Sequence, residues 1–200
     1  ALAPLGVPIR IDNDANLGAL AEAWWTGPGG VDDLVFVKIA TGIGSGRFVD
    51  GEIARGATSE AGEISHLVVD PHGQHCVCGQ RGCLLTRVGR PALIARAAAL
   101  ADTRPESPLH GVEPTIDSIV DAALGGDPVA LDVVDDAADA VATAIATVIR
   151  LVNPATIVLG GGIARLDRVL LAPIRARLDG RSPTGAHSST SLRVSRLGRE

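Results

Sequence analysis

The 200-residue sequence has no tyrosine and no methionine, and it holds only two phenylalanines and two tryptophans. Its core must therefore come from Ala, Val, Leu and Ile, and with 46% of residues hydrophobic there is enough of that material for a real one. Small and branched side chains of this kind suit helices packed closely against a sheet, so an α/β class is expected. Positive charge is scarce as well: 18 Lys and Arg face 23 Asp and Glu, for a net charge of -5. Without a dense basic run, this segment is not expected to grip a nucleic-acid backbone by itself. The chain also lacks a long uncharged apolar run, and its N-terminus lacks a basic patch followed by an apolar core and a cleavage site. Neither membrane insertion nor secretion is expected. There are three cysteines, an odd number that argues against a disulfide framework and for metal ligands in a reducing compartment, hence the cytoplasm. No internal repeat or low-complexity tract is present.

Those three cysteines, Cys76, Cys78 and Cys83, are clustered, and the first follows His66 by ten residues. Three thiolates and one imidazole are the donors zinc prefers in a closed tetrahedral shell, and residues 66–83 are a short enough segment to fold around one ion. Gly79 and Gly82 supply the tight turns. His75, beside Cys76, is the rival for the fourth position and ranks below His66. His72, His75, His110 and His187 otherwise read as surface residues in loops. Zinc on one ring nitrogen of His66 would fix its tautomer and leave the other nitrogen free to meet a ligand.

Along the chain, residues 7–12 are β-prone and run into Asn13, Asp14, Ala15 and Asn16, a cluster that favours turns and helix N-caps. Residues 17–25 read as a helix, and 34–39 as a strand buried on both faces. A glycine-spaced loop over 41–46 follows, then a hairpin turn at Asp50-Gly51. Residues 64–69 read as a strand entering the cysteine loop. Helices are expected over 91–101 and 115–124, separated by a Pro-rich surface excursion at 103–114. The longest helix should open at Asp127, with Pro128 in its first position, and stop at Asn153-Pro154. A second buried strand over 156–159 ends in Gly160, Gly161 and Gly162. A helix over 167–178 and a strand at 192–194 close the pattern. An initial β run with no strand before it, and a final one with no covering helix, lead us to expect a piece of a longer polypeptide.

Three groups of residues have chemistry in them. Thr41, Gly42, Gly44 and Gly46 directly after a buried strand leave backbone N–H groups open to an anion, although a hairpin and not a helix follows, which sets this loop apart from Rossmann and Walker arrangements. An ordinary Gly-rich turn accounts for it equally well. Asn13 and Asp14 at one strand end, with Glu63 and His66 beside another, are the amides and carboxylates that grip sugar hydroxyls, and a carboxylate there could take a hydroxyl proton in phosphoryl transfer. Taken alone, Asp14 reads as an N-cap. Gly160 and Gly161 permit close backbone approach to a nucleotide, or simply make a tight turn.

Together, residues 13–16, 41–46, Arg55-Gly56, 61–66, 76–84 and 159–162 resemble the ROK (repressor, open reading frame, kinase) family of sugar kinases and repressors. The resemblance implies an actin-like ATPase (ribonuclease H-like) fold in which residues 1–30 end the first lobe and 31–200 form the second, with the N-terminal lobe and any DNA-binding domain outside this chain. It further implies that Asn13, Asp14, Glu63 and His66 contact a hexose or amino sugar, and that Asp14 is the general base if the parent is a kinase. By the same resemblance His66, Cys76, Cys78 and Cys83 hold zinc, while Thr41, Gly42, Gly44, Gly160 and Gly161 lie at ATP and its Mg only in a kinase.

The sequence departs from the family pattern in three places. Ser65 stands where a glycine is usual, Ala40 replaces the glycine before Thr41, and Leu85 replaces a glutamate of the sugar site, a loss expected to weaken sugar binding by roughly 1–3 kcal/mol. The Asp-x-Gly-x-Thr phosphate loop is absent from the chain. Ala40, the loss of the glutamate at Leu85, and the stretch Leu34-Val35-Phe36-Val37-Lys38, which resembles that of family regulators, favour the sugar-sensing domain of a transcriptional regulator, acting on DNA through a domain outside this chain, over an ATP-dependent hexose kinase. The family also implies a homodimer or tetramer.

Overall fold

The computed structural model describes residues 6, 9, 11–25, 31–40, 42–181 and 189–197. Its centre is a five-stranded sheet in the order β3-β2-β1-β4-β5. The strands are β1 (Asp33–Ile39), β2 (Ile43–Val49), β3 (Glu52–Ile53), β4 (Thr156–Gly160) and β5 (Ser191–Val194). The first three form an antiparallel meander, and β4 and β5 add in parallel on the other side of β1. The helices are α1 (Asp14–Trp25), α2 (Leu84–Val88), α3 (Arg90–Ala101), α4 (Ile116–Leu124), α5 (Pro128–Val152) and α6 (Asp167–Arg181). No described helix is long and apolar enough to cross a membrane.

Strand alternation divides the core in two. Val35, Val37 and Ile39 of β1, with Ile157 and Leu159 of β4, face a large cluster built on α5. Leu34, Phe36 and Val158 face a smaller one under α1. α5 forms as its sequence dictates: the Asp127 side chain accepts from the Ala130 N–H at 2.9 Å, Pro128 follows, and Asn153 ends the helix in the left-handed region at φ 43°. Its buried alanines allow close packing, and ion pairs fasten its rim to neighbours, among them Arg96–Asp136, Arg104–Asp132 and Arg177–Asp135 at 2.7–2.9 Å.

With aromatics so few, glycine decides how closely α1 lies on the sheet. A Cβ at Gly18 or Gly160 would fall 2.4 or 2.2 Å from the Phe36 ring, so the ring fills the space both glycines leave. A Cβ at Gly46 would sit 2.5 Å from the Ala15 carbonyl oxygen, which puts the first turn of α1 directly on the backbone of β2.

Several expectations need correction. The described part of the glycine-spaced loop is mostly strand, since Gly44 and Gly46 pair with Lys38 and Phe36 in the ladder and, of its described residues, only Gly42 lies outside it. The Asp50-Gly51 turn forms as expected, with φ of 52° and 82°. Residues 64–69 are not a strand: Ile64–His66 is one 3-10 turn, because the Ile64 and Leu67 N–H groups bond to Gly62 and Ile64 and Val69 bonds to Gly82. The Pro-rich excursion is partly interior, with Ser107 and Leu109 buried and the Ser107 hydroxyl donating to the Asp127 carboxylate at 3.1 Å. Of the β-prone residues 7–12, Ile9, Ile11 and Asp12 are not in a strand, and the others lie outside the described residues. The short helix α2 was not anticipated.

The close contact at Gly46 has a measurable consequence. Gly46→Ala should lower the unfolding free energy by about 1–3 kcal/mol, the usual range for overpacking. Gly42→Ala, which adds its methyl to open space, should stay within about 0.5 kcal/mol. Urea denaturation midpoints compare the two.

Candidate functional site

The N-terminus of α1 is built by its own polar residues. The Asn13 side-chain oxygen accepts from the Ala15 N–H at 2.8 Å and so caps the helix. Asp12 accepts from the Asn16 amide at 2.8 Å and from Arg55 Nη2 at 2.5 Å. The Asn16 bond, then the Arg55 bond and the Asn13 N–H, hold the Asp12 carboxyl below its ordinary value. Asp14 stands exposed in the first turn, where the helix dipole tolerates a negative charge. Its Oδ2 is paired with the ammonium of Lys38, which rises from β1.

On the other side of β2 the chain approaches just as closely. A Cβ at Gly62 would lie 2.2 Å from the Ser45 carbonyl oxygen, and Ser45 donates to the Gly62 oxygen through both N–H (3.1 Å) and hydroxyl (2.8 Å). Glu63 and His66 follow at once. Glu63 lines a cavity of about 330 Å³ with Ser45, Arg47 and Thr147. Asn13 and Asp14 thus sit against one side of β2 and Glu63 and His66 against the other, and no hydrogen bond or ion pair joins the two pairs among the described residues.

His66 also belongs to the cysteine loop. Its Nδ1 lies 3.5 Å from Cys76 Sγ, Cys78 Sγ lies 3.5 Å from Cys83 Sγ, and the ligand atoms of all four residues fall within 4.8 Å of one another. Such a group could hold a metal ion. His75 is not part of it; its backbone bridges to Arg81. The loop is closed by hydrogen bonds from the Cys76 N–H to Gln80 (2.8 Å) and from the Gly82 N–H to Gln74 (2.8 Å). Burial pushes the Cys83 thiol up to about 12, with Cys78 and Cys76 adding to it, while the Gln80 backbone lowers the exposed Cys78. A bound cation reverses the cost at Cys83, because it displaces the proton and takes the thiolate as ligand. Three thiols and an imidazole fit a borderline-soft, four-coordinate ion.

A second cavity lies beside Gly162. Gly161, at φ 84°, packs under the Ile39 carbonyl oxygen, where a Cβ would sit 2.5 Å away. Ala40, Gly162, Ile116, Val120 and Leu166 line a largely apolar space of about 290 Å³. Arg165 clasps Asp117 (2.5 Å) and Asp121 (2.6 Å) beside it. Thr41 and His187 lie outside the described residues. Leu85 packs on the core and lines a groove with Cys76, Val77 and Leu93.

The sequence model of the ROK family matches residues 3–194. The chain belongs to the ROK family. It is 36% identical to a glucokinase of Halalkalibacterium halodurans over 97% of this chain and 61% of that protein. The crystal structure of a ROK family transcriptional regulator, a homologue of the Escherichia coli Mlc protein, superposes with a TM-score of 0.89 at 33% identity, over 98% of this chain and 50% of the other. A ROK family glucokinase from Streptomyces griseus, in complex with glucose and AMPPNP, gives 0.80 at 29% identity, over 98% and 66%. Repressors and glucokinases both stand among the ROK relatives, and the chain spans about half the length of the curated proteins it matches. The fold is that of the ROK kinases, the actin-like ATPase fold.

Reading the sequence missed Lys38, Asp12 and the role of Arg55. A lone lysine inside the apolar stretch 34–39 was the available signal for the first, and the four-residue spacing of Asp12 and Asn16 for the second. The loop geometry carries a test of its own. Gly82, at φ 65°, would place a Cβ 1.5 Å from the Asp70 oxygen. Gly82→Ala, which touches no ligand atom, should cut the metal content of the purified protein to well below that of the parent in elemental analysis.

Proposed function

We propose that this chain is the sugar-sensing effector domain of a ROK-family transcriptional regulator, and that it binds a hexose or amino sugar beside a structural zinc. The observation that carries this reading is the ion pair between Asp14 and Lys38. A general base must reach the hydroxyl it deprotonates and accept its proton. The Lys38 ammonium occupies the Asp14 oxygen that a substrate hydroxyl would have to reach, and the carboxylate can still accept a hydrogen bond. The superposition on a ROK transcriptional regulator supports the same reading.

In this reading Asn13, Asp14, Glu63 and His66 meet the sugar hydroxyls. Zinc, held by His66 Nδ1 and the thiolates of Cys76, Cys78 and Cys83, makes the loop rigid and orients the imidazole so that Nε2 faces the sugar. Sugar binding favours one arrangement of the lobes, and that arrangement differs in affinity for DNA through a domain outside this chain. We place the protein in the cytoplasm as a homodimer or tetramer.

A second reading, an ATP-dependent hexose kinase with Asp14 as base, is supported by the identity to a glucokinase and by the apolar cavity beside Gly162. ATP and Mg would then lie along Thr41, Gly42, Gly44, Gly160 and Gly161.

Calorimetry with a panel of hexoses and amino sugars should show heat of binding, and a coupled ATPase assay with the same panel should show no turnover. Turnover that vanishes in Asp14→Asn would overturn the regulator in favour of the kinase. Elemental analysis should return one zinc per chain, and Cys78→Ser should lower metal content and sugar affinity together.

A further inference from the structure

Lys38 is the only charged residue among residues 34–39. Its neighbours across the ladder are both glycines, Gly44 on β2 and Gly160 on β4. Alternation puts it on the same sheet face as Leu34 and Phe36, the face that α1 covers. That row of the sheet therefore presents a single side chain. The Lys38 side chain is 29% exposed and that of Asp14 66%, so the lysine stem is mostly covered and the carboxylate is open to solvent.

Among the described residues, the cations around the site are paired. Lys38 is matched by Asp14 and Arg55 by Asp12. Arg47, which shares the cavity of Glu63, is matched by Asp33 at 3.3 Å. Glu63 has no ionic partner among the described residues. A phosphate group, carrying about two negative charges, would find no unpaired Lys or Arg among the described residues of the site and would have to break the Asp14 pair to reach Lys38.

We infer that Lys38 determines ligand specificity: while paired with Asp14 it keeps the site neutral or acidic, admitting uncharged or protonated amino sugars and excluding sugar phosphates. This rests on the sugar-binding reading above, but the charge lock can be tested without a sugar.

The test is titration of the intact protein, by calorimetry and amide NMR, with hexoses, their 6-phosphates and inorganic phosphate. The parent should bind a hexose or amino sugar and discriminate against its 6-phosphate by about tenfold or more. Asp14→Asn frees the ammonium, so it should gain affinity for inorganic phosphate and for the sugar phosphate, with shifts at Lys38, Gly44 and Gly160. Adding Lys38→Met to that variant should abolish the gain. Position 14 is exposed, and an unchanged melting temperature and metal content verify that Asp14→Asn is folded. A parent that binds the sugar phosphate as tightly as the sugar, or an Asp14→Asn protein with no gain for inorganic phosphate, overturns the inference. If the parent binds no sugar, the sugar-sensing reading falls, and the phosphate gain of Asp14→Asn still decides the lock.

Discussion

The backbone of β2 is approached from both sides at the limit of atomic contact, and the placement of every candidate residue depends on that. On one side the first turn of α1 rests against Gly46, and on the other Gly62 rests against the carbonyl of Ser45. Neither approach tolerates a methyl group. The helix N-terminus carrying Asn13 and Asp14 and the turn carrying Glu63 and His66 are thereby held on either side of one strand, with two hydrogen bonds from Ser45 to Gly62 fixing the second. Of the glycines that suggested an anion-binding loop in the sequence, Gly46 thus has a packing role: it is a flat place in the sheet where another backbone lies.

The metal loop extends this arrangement outward. His66 is the last residue of the 3-10 turn that begins at Ile64, and its Nδ1 already faces Cys76. The loop returns to the same turn through the Leu84 N–H, which bonds to the Leu67 oxygen at 2.8 Å, and through the Val68–Cys83 bridge. A metal held there would clamp the chain that carries Glu63 as well as the four donors. Burial keeps the Cys83 thiol protonated in the empty loop, so a cation that takes its thiolate as ligand must displace that proton.

Much of this was legible in the sequence where local chemistry decides the outcome. Asp127-Pro128 and Asn153-Pro154 bracket α5 because a cap, a preset φ and a left-handed stop act within a few residues. Strand β1, the Asp50-Gly51 turn and the donor cluster belong to the same class. The failures came where a distant partner chooses the conformation. Residues 64–69 are as apolar as a strand, but their hydrogen bonds go to Gly62 and Gly82, and nothing in the local pattern announces that. Lys38 was passed over because a strand is read for its apolar residues; the carboxylate that gives the lysine its meaning lies 24 positions earlier, on a helix.

The same contrast bears on how one scaffold serves both sugar kinases and sugar-responsive repressors. Gly18, Gly46, Gly62 and Gly160 each meet another part of the molecule at distances that exclude a side chain, so changes there must disturb the fold before they can alter chemistry. Position 38 is different. Its flanking glycines leave room for any side chain that can reach the helix N-terminus, and its partner Asp14 is exposed. Substitution there redistributes charge at the site with little effect on packing, since exposed ion pairs contribute only about 0–1 kcal/mol to stability. A change of function that leaves the fold intact is therefore easiest at positions like this one, where the sheet is bare and the first turn of α1 ends in a carboxylate.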